Sequence, residues 1–346
     1  MNVSRRAALR PFGMKVYYKS GAFVAYKDTM LTFDAAEDCS GKSLRCITHA
    51  HADHTTKVNE SNLLMTAETH ELLRALRCLE YHASILEFGK AVEVGSVRIR
   101  AVNAGHILGS CQYVVECDDG ALLFSGDINV HDTLVTKAAE PAHADFMIVE
   151  ATYGSPFFVF PDREIIYSKI VRWICDCLRD GNVPAFKTYL IGKSQEVIKL
   201  VNEYLGIPVI VNESVAKACE VYKKFGLNLS YFCKNTAAGK ELLRSGECVY
   251  VSNHRTDIPV DRRVKWAIAT GWALRYRFDF YDAAFPLSSH TDFKGLINHV
   301  ETCMPNTVYT MHGYSELLAK VLERRGFVAS ALESAETFIP FVYGRG

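Results

Sequence analysis

The segment Thr48-His49-Ala50-His51-Ala52-Asp53-His54 packs four candidate metal donors, His49, His51, Asp53 and His54, into six residues. Imidazole nitrogen and carboxylate oxygen together suit zinc or a similar first-row ion. The apolar run 44–48 just before them reads as a short buried strand, so the donors leave the chain at a strand mouth. Ligands this dense can serve two adjacent ions, and a two-ion site can generate hydroxide at neutral pH and clamp a phosphate. The alternative is a polar turn that happens to hold three of the chain's twelve histidines.

Four more acidic or histidine residues stand near apolar runs further along. They are Asp34 in Leu31-Thr32-Phe33-Asp34, His106 in Ala104-Gly105-His106, Asp127 in Phe124-Ser125-Gly126-Asp127 and His312 in Met311-His312-Gly313. Taken with His49 to His54, the set resembles the ordered motifs of the metallo-β-lactamase fold, beginning with its HxHxDH signature. The resemblance implies one metal held by His49, His51 and His106, and a second held by Asp53, His54 and His312. Asp127 would be shared, and Asp34 would support the site without binding metal. Two zinc ions are expected, with manganese as an alternative, and a hydroxide between them as nucleophile. Asp53 is also placed in the catalytic set.

A narrower likeness follows. Val149-Glu150-Ala151-Thr152-Tyr153-Gly154, Leu287-Ser288-Ser289-His290-Thr291-Asp292 and Met311-His312-Gly313-Tyr314 resemble motifs A, B and C of the β-CASP nucleases. Thr188-Tyr189-Leu190-Ile191-Gly192-Lys193-Ser194-Gln195-Glu196 is similar to the start of a helix in their inserted cap. With Ala269-Thr270-Gly271-Trp272, the pattern is most similar to a short ligase-associated exonuclease branch, also described as RNA 3′-end-processing-factor-like. Tyr314 departs from it, because many relatives carry glutamate there. The likeness implies hydrolysis of phosphodiester bonds in RNA or single-stranded DNA, exonuclease action before endonuclease action, and DNA-repair or RNA-processing partners.

Glu150 and His290 have a chemical logic of their own. The 3′-oxygen of a phosphodiester leaves poorly unless protonated, and a histidine can supply that proton, typically worth about 10²–10⁴-fold. A neighbouring carboxylate raises the histidine pKa and fixes its tautomer. His290 is therefore read as general acid and Glu150 as its orienter. A lactonase, thioesterase or β-lactamase of the same fold has no need of such a donor. A non-catalytic partner subunit would have lost ligands, whereas all seven positions are filled here.

Candidate substrate contacts are Lys193, beside Gly192 at an expected helix N-terminus where a phosphate could sit, and Arg275 and Arg277. The last two interleave with aromatics in Arg275-Tyr276-Arg277-Phe278, a pattern that suits a single strand. The competing readings are a solvated helical turn for Lys193 and an edge strand for the arginines. Lys223-Lys224 reads as a solvated helix face.

The elements that must position these residues point to an α/β protein. The expectation is a metallo-β-lactamase αββα sandwich from 1–154 and 276–346, with a small α/β β-CASP cap inserted at 155–275. The first part is strand-rich, with a helix at 68–79. The middle alternates helices at 163–179, 193–204 and 214–225 with strands at 185–189 and 208–211, a βα rhythm that suits a parallel sheet. Helices are expected again at 292–303 and 315–325, around a strand at 308–310.

The chain has 346 residues, 49% of them apolar, and 39 basic against 39 acidic side chains. A polyanion partner would have to be met by a local patch rather than by net charge. Eleven cysteines without a CxxC pair suggest reduced thiols and a cytoplasmic protein. Cys175 and Cys177 read as core thiols of a helix. No run approaches a membrane span. Ser4-Arg5-Arg6 lacks the apolar stretch of an export signal, and the first dozen residues read as a loose basic lead-in.

Overall fold

The computed structural model describes residues 13–35, 43–55, 62–77, 82–334 and 339–340. The basic lead-in at 1–12 lies outside the described residues.

Two seven-stranded sheets face each other. The first runs, in spatial order, Ile339–Pro340, Lys15–Tyr18, Ala22–Tyr26, Thr29–Phe33, Leu44–Cys46, Leu63–Met65 and Ala83–Ile85. It is antiparallel up to Thr29–Phe33 and parallel beyond. The second runs Val328–Ala331, Thr307–Met311, Phe146–Glu150, Gly120–Phe124, Cys111–Cys117, Val97–Asn103 and Ala91–Val94. Phe33 from one sheet stacks on Phe124 from the other, ring centroids 4.7 Å apart, and both lie in a continuous apolar layer with Tyr113, Ile99 and Ile148.

Strand periodicity decides what covers the outer faces. Leu64 points between the sheets, while its neighbours Leu63 and Met65 pack outward with Leu72 and Leu73 of helix Ala67–Arg77. On the far side, Val149 and Val308 pack against Leu296, Val300, Leu318 and Leu322 of helices Phe293–Cys303 and Ser315–Arg324. The result is the helix–sheet–sheet–helix sandwich that the sequence led us to expect.

A third sheet has the order Phe232–Cys233, Val209–Val211, Val249–Ser252, Val183–Lys187, Val264–Ala269 and Ala283–Phe285. Every pairing in it is parallel. Such a sheet needs cover on both faces, and helices Arg163–Arg179, Lys193–Tyr204, Glu213–Lys224 and Ala237–Ser245 alternate with its strands. Helix Glu213–Lys224 also meets the sandwich. Lys223 and Lys224 are exposed on this helix, as expected, and Lys224 Nζ in addition lies 2.8 Å from the Glu71 carboxylate on helix Ala67–Arg77.

Several local expectations change. Cys177 is buried, but Cys175 is exposed, because residues two apart on a helix point to opposite sides. Residues 275–277 leave a 3-10 turn, Gly271–Leu274, and form no edge strand. Lys193 is buried rather than solvated. All nine cysteines among the described residues are unpaired thiols, and none of the described helices is long and apolar enough to cross a membrane.

Strands Gly120–Phe124, Phe146–Glu150 and Thr307–Met311 are mutually parallel, so their C-terminal ends share one edge. Asp127, Glu150 and His312 emerge there, at the edge where open α/β sheets collect their ligands. Phe33 immediately precedes Asp34 and plugs the space between the sheets beneath that edge. Phe33→Ala should lower unfolding stability by about 3–5 kcal/mol, read from the midpoint of a denaturant titration at unchanged slope.

Candidate active site

Thr48 to Ala50 run straight on from strand Leu44–Cys46, and Cys46 and Ile47 are buried beneath them. His49 and His51 are two apart in extended chain, yet both reach the same point through different ring atoms. His49 Nε2 lies 3.1 Å from His51 Nδ1 and 3.5 Å from Asp127 Oδ2. His106, just beyond strand Val97–Asn103, brings its Nε2 to 3.1 Å from His51 Nδ1 and 3.6 Å from Asp127 Oδ2.

These four donor atoms lie within 4.8 Å of one another. A tetrahedron of nitrogen and oxygen ligands about 2.0–2.2 Å from zinc has edges of roughly 3.3–3.6 Å, so the spacing fits a first-row divalent ion. The protonation states fit too. Burial holds the imidazoles of His49 and His106 well below the usual range and pulls His51 down to about 4, leaving neutral donors. Burial disfavours the Asp127 anion, but His54 and His290 outweigh it and hold the carboxyl well below its ordinary range.

The supporting contacts come from backbone as much as from side chains. Asp34 stands outside the group of His49, His51, His106 and Asp127, and its carboxylate groups instead with His49 and His54. Its Oδ1 accepts from the Thr48 amide, and its Oδ2 accepts from the Thr48 hydroxyl and faces His54 Nδ1 at 2.8 Å. His54 is thereby turned so that its Nε2 lies 3.3 Å from Asp127 Oδ2. Burial opposes charge on His54, yet Asp127 and Asp34 lift its pKa well above the usual value. Asp34 and His312 both hold positive φ, 49° and 65°, at a cost of order 1–3 kcal/mol each that the surroundings must offset. Glu333 offsets part of it at His312, accepting from the His312 amide at 2.6 Å and from the Ser315 hydroxyl at 2.7 Å. Gly126, at φ 53°, lets the chain pass Thr48, because a Cβ there would sit 2.8 Å from the threonine side chain.

Asp53 and His312 are placed more loosely. The Asp53 side chain is 82% exposed, with Oδ2 3.8 Å from His54 Nε2. The His312 ring lies 6.1 Å from that of His54 and is 40% exposed. Both line the same cleft, of about 990 Å3, as His51, His54, Asp127 and His290. Among the described residues neither joins the tight donor groups.

Glu150 and His290 meet. Both carboxylate oxygens of the buried Glu150 lie 3.1 Å from His290 Nδ1, and Oε1 also accepts from the Ile128 amide at 2.7 Å. The other ring nitrogen, Nε2, looks towards Asp127 Oδ2 at 3.9 Å. Burial works against protonation of His290, but Glu150 and then Asp127 outweigh it, and its pKa is raised.

The sequence offered no signal for the contacts that tie the third sheet to this site. The Ile191 carbonyl lies 3.3 Å from His51 Nε2, and the Ser289 carbonyl lies 2.8 Å from His106 Nδ1. Arg163 Nε donates to Glu196 Oε1 at 2.7 Å, and its Nη2 reaches the Ser288 carbonyl at 2.8 Å. Tyr167 donates to the same glutamate. Of the substrate candidates, Lys193 lines the cleft over the Tyr189 ring, and burial draws its pKa down to about 8. Arg275 and Arg277 stay outside it, exposed.

Glu196 is 1% exposed and its partner Arg163 18%. Removing one member of a buried pair strands the other, typically at about 3–5 kcal/mol. Glu196→Ala should lose stability in that range in chemical denaturation, and Arg163→Met should cost at least as much, since it leaves the more deeply buried carboxylate without its cation.

No family model matches the chain. Over 83% of its length it is 32% identical to a protein named probable DNA ligase from Opitutus terrae. Over 53% it is 28% identical to an RNase J-like protein from Methanocaldococcus jannaschii, and over 42% it is 26% identical to the endoribonuclease ysh1 of Schizosaccharomyces pombe. The chain spans only 28%, 45% and 19% of those relatives, respectively. A crystal structure of an Enterococcus faecalis protein of unknown function shares the fold, with a TM-score of 0.65 at 15% identity over 87% of this chain and 94% of that one. The nuclease names among these relatives, together with this sandwich, make the chain similar to the β-CASP nucleases of the metallo-β-lactamase fold.

Proposed function

We propose that the protein is a divalent-metal-dependent nuclease that hydrolyses phosphodiester bonds of RNA or single-stranded DNA. The observation that carries this reading is the Glu150–His290 pair. It sits beside the donor cluster with Nδ1 held by the carboxylate and Nε2 turned towards Asp127. A hydrolase of small esters or thioesters has no use for a proton donor poised this way.

His49, His51, His106 and Asp127 are the residues that would hold one ion; Asp53, His54 and His312, with Asp127, would hold a second. Zinc suits this nitrogen-rich set, and manganese is the alternative. Ions in such a site polarise a phosphate and acidify water. The chain's own groups do the rest. Asp34 and the carbonyls of Ile191 and Ser289 fix the imidazole orientations, as partners of ligating histidines generally do. As the imidazolium, His290 holds a proton at Nε2 for the leaving 3′-oxygen, and Glu150, accepting from Nδ1–H, stabilises that charged form and aims the ring. Lys193, cationic and buried in the wall of the cleft, offsets the charge of an incoming phosphate. The third sheet with its helices acts as the cap, inserted across roughly 155–275 and continued by the sheet's last strand to Phe285. The likeness to a segment of a ligase-named protein favours nucleic-acid ends joined or matured by partner enzymes.

Elemental analysis of the purified protein should find two transition-metal ions per chain. Asp127→Ala should lose both and all hydrolysis while keeping the native circular-dichroism spectrum. Near-normal turnover in that variant would remove Asp127 from the site.

His290→Ala should keep its metal but lose on the order of 10²-fold or more in kcat on a natural phosphodiester. The loss on bis-(p-nitrophenyl) phosphate, whose leaving group needs no proton, should be far smaller. Equal losses on both would make His290 structural. Glu150→Gln removes the charge that most raises the His290 pKa. The general acid works only while protonated, so the alkaline fall in kcat/KM should move to lower pH in this variant.

A further inference from the structure

The wall of the cleft behind His290 is aromatic, and it continues out of the cleft onto the surface. The Tyr153 ring centroid lies 5.9 Å from that of His290, Trp272 lies 4.8 Å beyond Tyr153, and Tyr276 lies 5.9 Å beyond Trp272. Trp272 lines the cleft, whereas the Tyr276 side chain is 53% exposed. The ladder is held from behind. Trp272 packs edge-on against buried Phe158, which also touches Tyr314. Two cations flank its outer end. Arg275 is braced by a 2.7 Å hydrogen bond to the Phe157 carbonyl with its guanidinium 5.0 Å over the Phe157 ring, and Arg277 is exposed beside it.

Resting on the nuclease reading above, we propose that Trp272 and Tyr276 form a stacking platform for the bases of single-stranded nucleic acid on the 5′ side of the scissile phosphate. Three features select this occupant. The rings are continuous with the candidate catalytic cleft. Arginines at the outer end complement a phosphate backbone, and aromatic faces with arginine are the recurring means of gripping single strands without reading sequence. The side follows from the chemistry. His290 protonates the leaving 3′-oxygen, so the strand carrying that oxygen lies on the His290 side, where the ladder begins. Paired bases cannot offer their faces to the rings, so a duplex is a poor occupant.

The test measures KM and kcat on end-labelled single-stranded RNA and DNA of about twenty nucleotides, for the native chain, Tyr276→Ala and Tyr276→Phe. Base stacking of the usual strength predicts a KM raised roughly five-fold to one-hundred-fold in Tyr276→Ala, with kcat changed much less and KM restored by Tyr276→Phe. Abasic nucleotides placed 5′ of the cleaved bond should reproduce the loss in the native chain and add little in Tyr276→Ala. An unchanged KM, a Tyr276→Phe variant as weak as Tyr276→Ala, or sensitivity only to abasic sites on the 3′ side would overturn the platform. Hydrolysis of bis-(p-nitrophenyl) phosphate by the same metal-loaded samples tests the nuclease reading separately. If that and all oligonucleotide cleavage are absent, the nuclease reading fails, and fluorescence anisotropy of the labelled strands decides the platform: binding weakened by Tyr276→Ala keeps it, and no binding ends it.

Discussion

One carboxylate organises the centre of this molecule. Asp127 Oδ2 is buried 3.3–3.9 Å from ring nitrogens of His49, His54, His106 and His290. An isolated anion there would cost several kcal/mol in lost hydration, so the site is stable only with compensating positive charge. Protonated histidine supplies part of it, and a divalent ion, matched to the same donor spacing, supplies it better. The sandwich follows from that demand. Mutually parallel strands end on one edge so that Asp127, Glu150 and His312 can approach it, and the apolar layer around Phe33 and Phe124 holds that edge in register.

The site is completed from the third sheet. Nδ1 of His51 and Nε2 of His106 converge because their opposite ring nitrogens are held by the carbonyls of Ile191 and Ser289. Ser288, next to Ser289, is anchored in turn by Arg163, which the buried Glu196 holds. Hydrogen bonds thus run from the Arg163–Glu196 pair to the Ser288 carbonyl, and from the adjacent Ser289 carbonyl to His106. Asp34 and His312, both at positive φ, show where backbone freedom is given up to hold that geometry.

Charge is arranged locally in a chain of zero formal net charge. Histidine, aspartate and buried Lys193 line the cleft, while an aromatic ladder runs from it to exposed Tyr276, which stands between two exposed arginines in the chain. Such a division suits a polyanion bound by a few placed cations and by its bases, without a broad basic face.

The sequence by itself determined the donor chemistry. Histidines spaced by two after a buried strand, and single acidic residues at the ends of apolar runs, are legible because ligand type is a property of the side chain and strand alternation is a period of two. The long helices Arg163–Arg179 and Lys193–Tyr204 were legible for the same reason, through their apolar spacing. The later strands of the third sheet and helix Ala237–Ser245 were not, because short buried strands in a parallel sheet carry little alternation. Only the tertiary structure decided that Cys175 faces water, that Lys193 is buried, and that Asp53 and His312 stand further from the cluster than His49, His51 and His106. It alone revealed the carbonyls that orient the imidazoles and the ring ladder from Tyr153 to Tyr276. A carbonyl has the same chemical identity in every residue, and rings far apart in the chain have no sequence relation. Their roles come from distance, which the packing of three sheets sets.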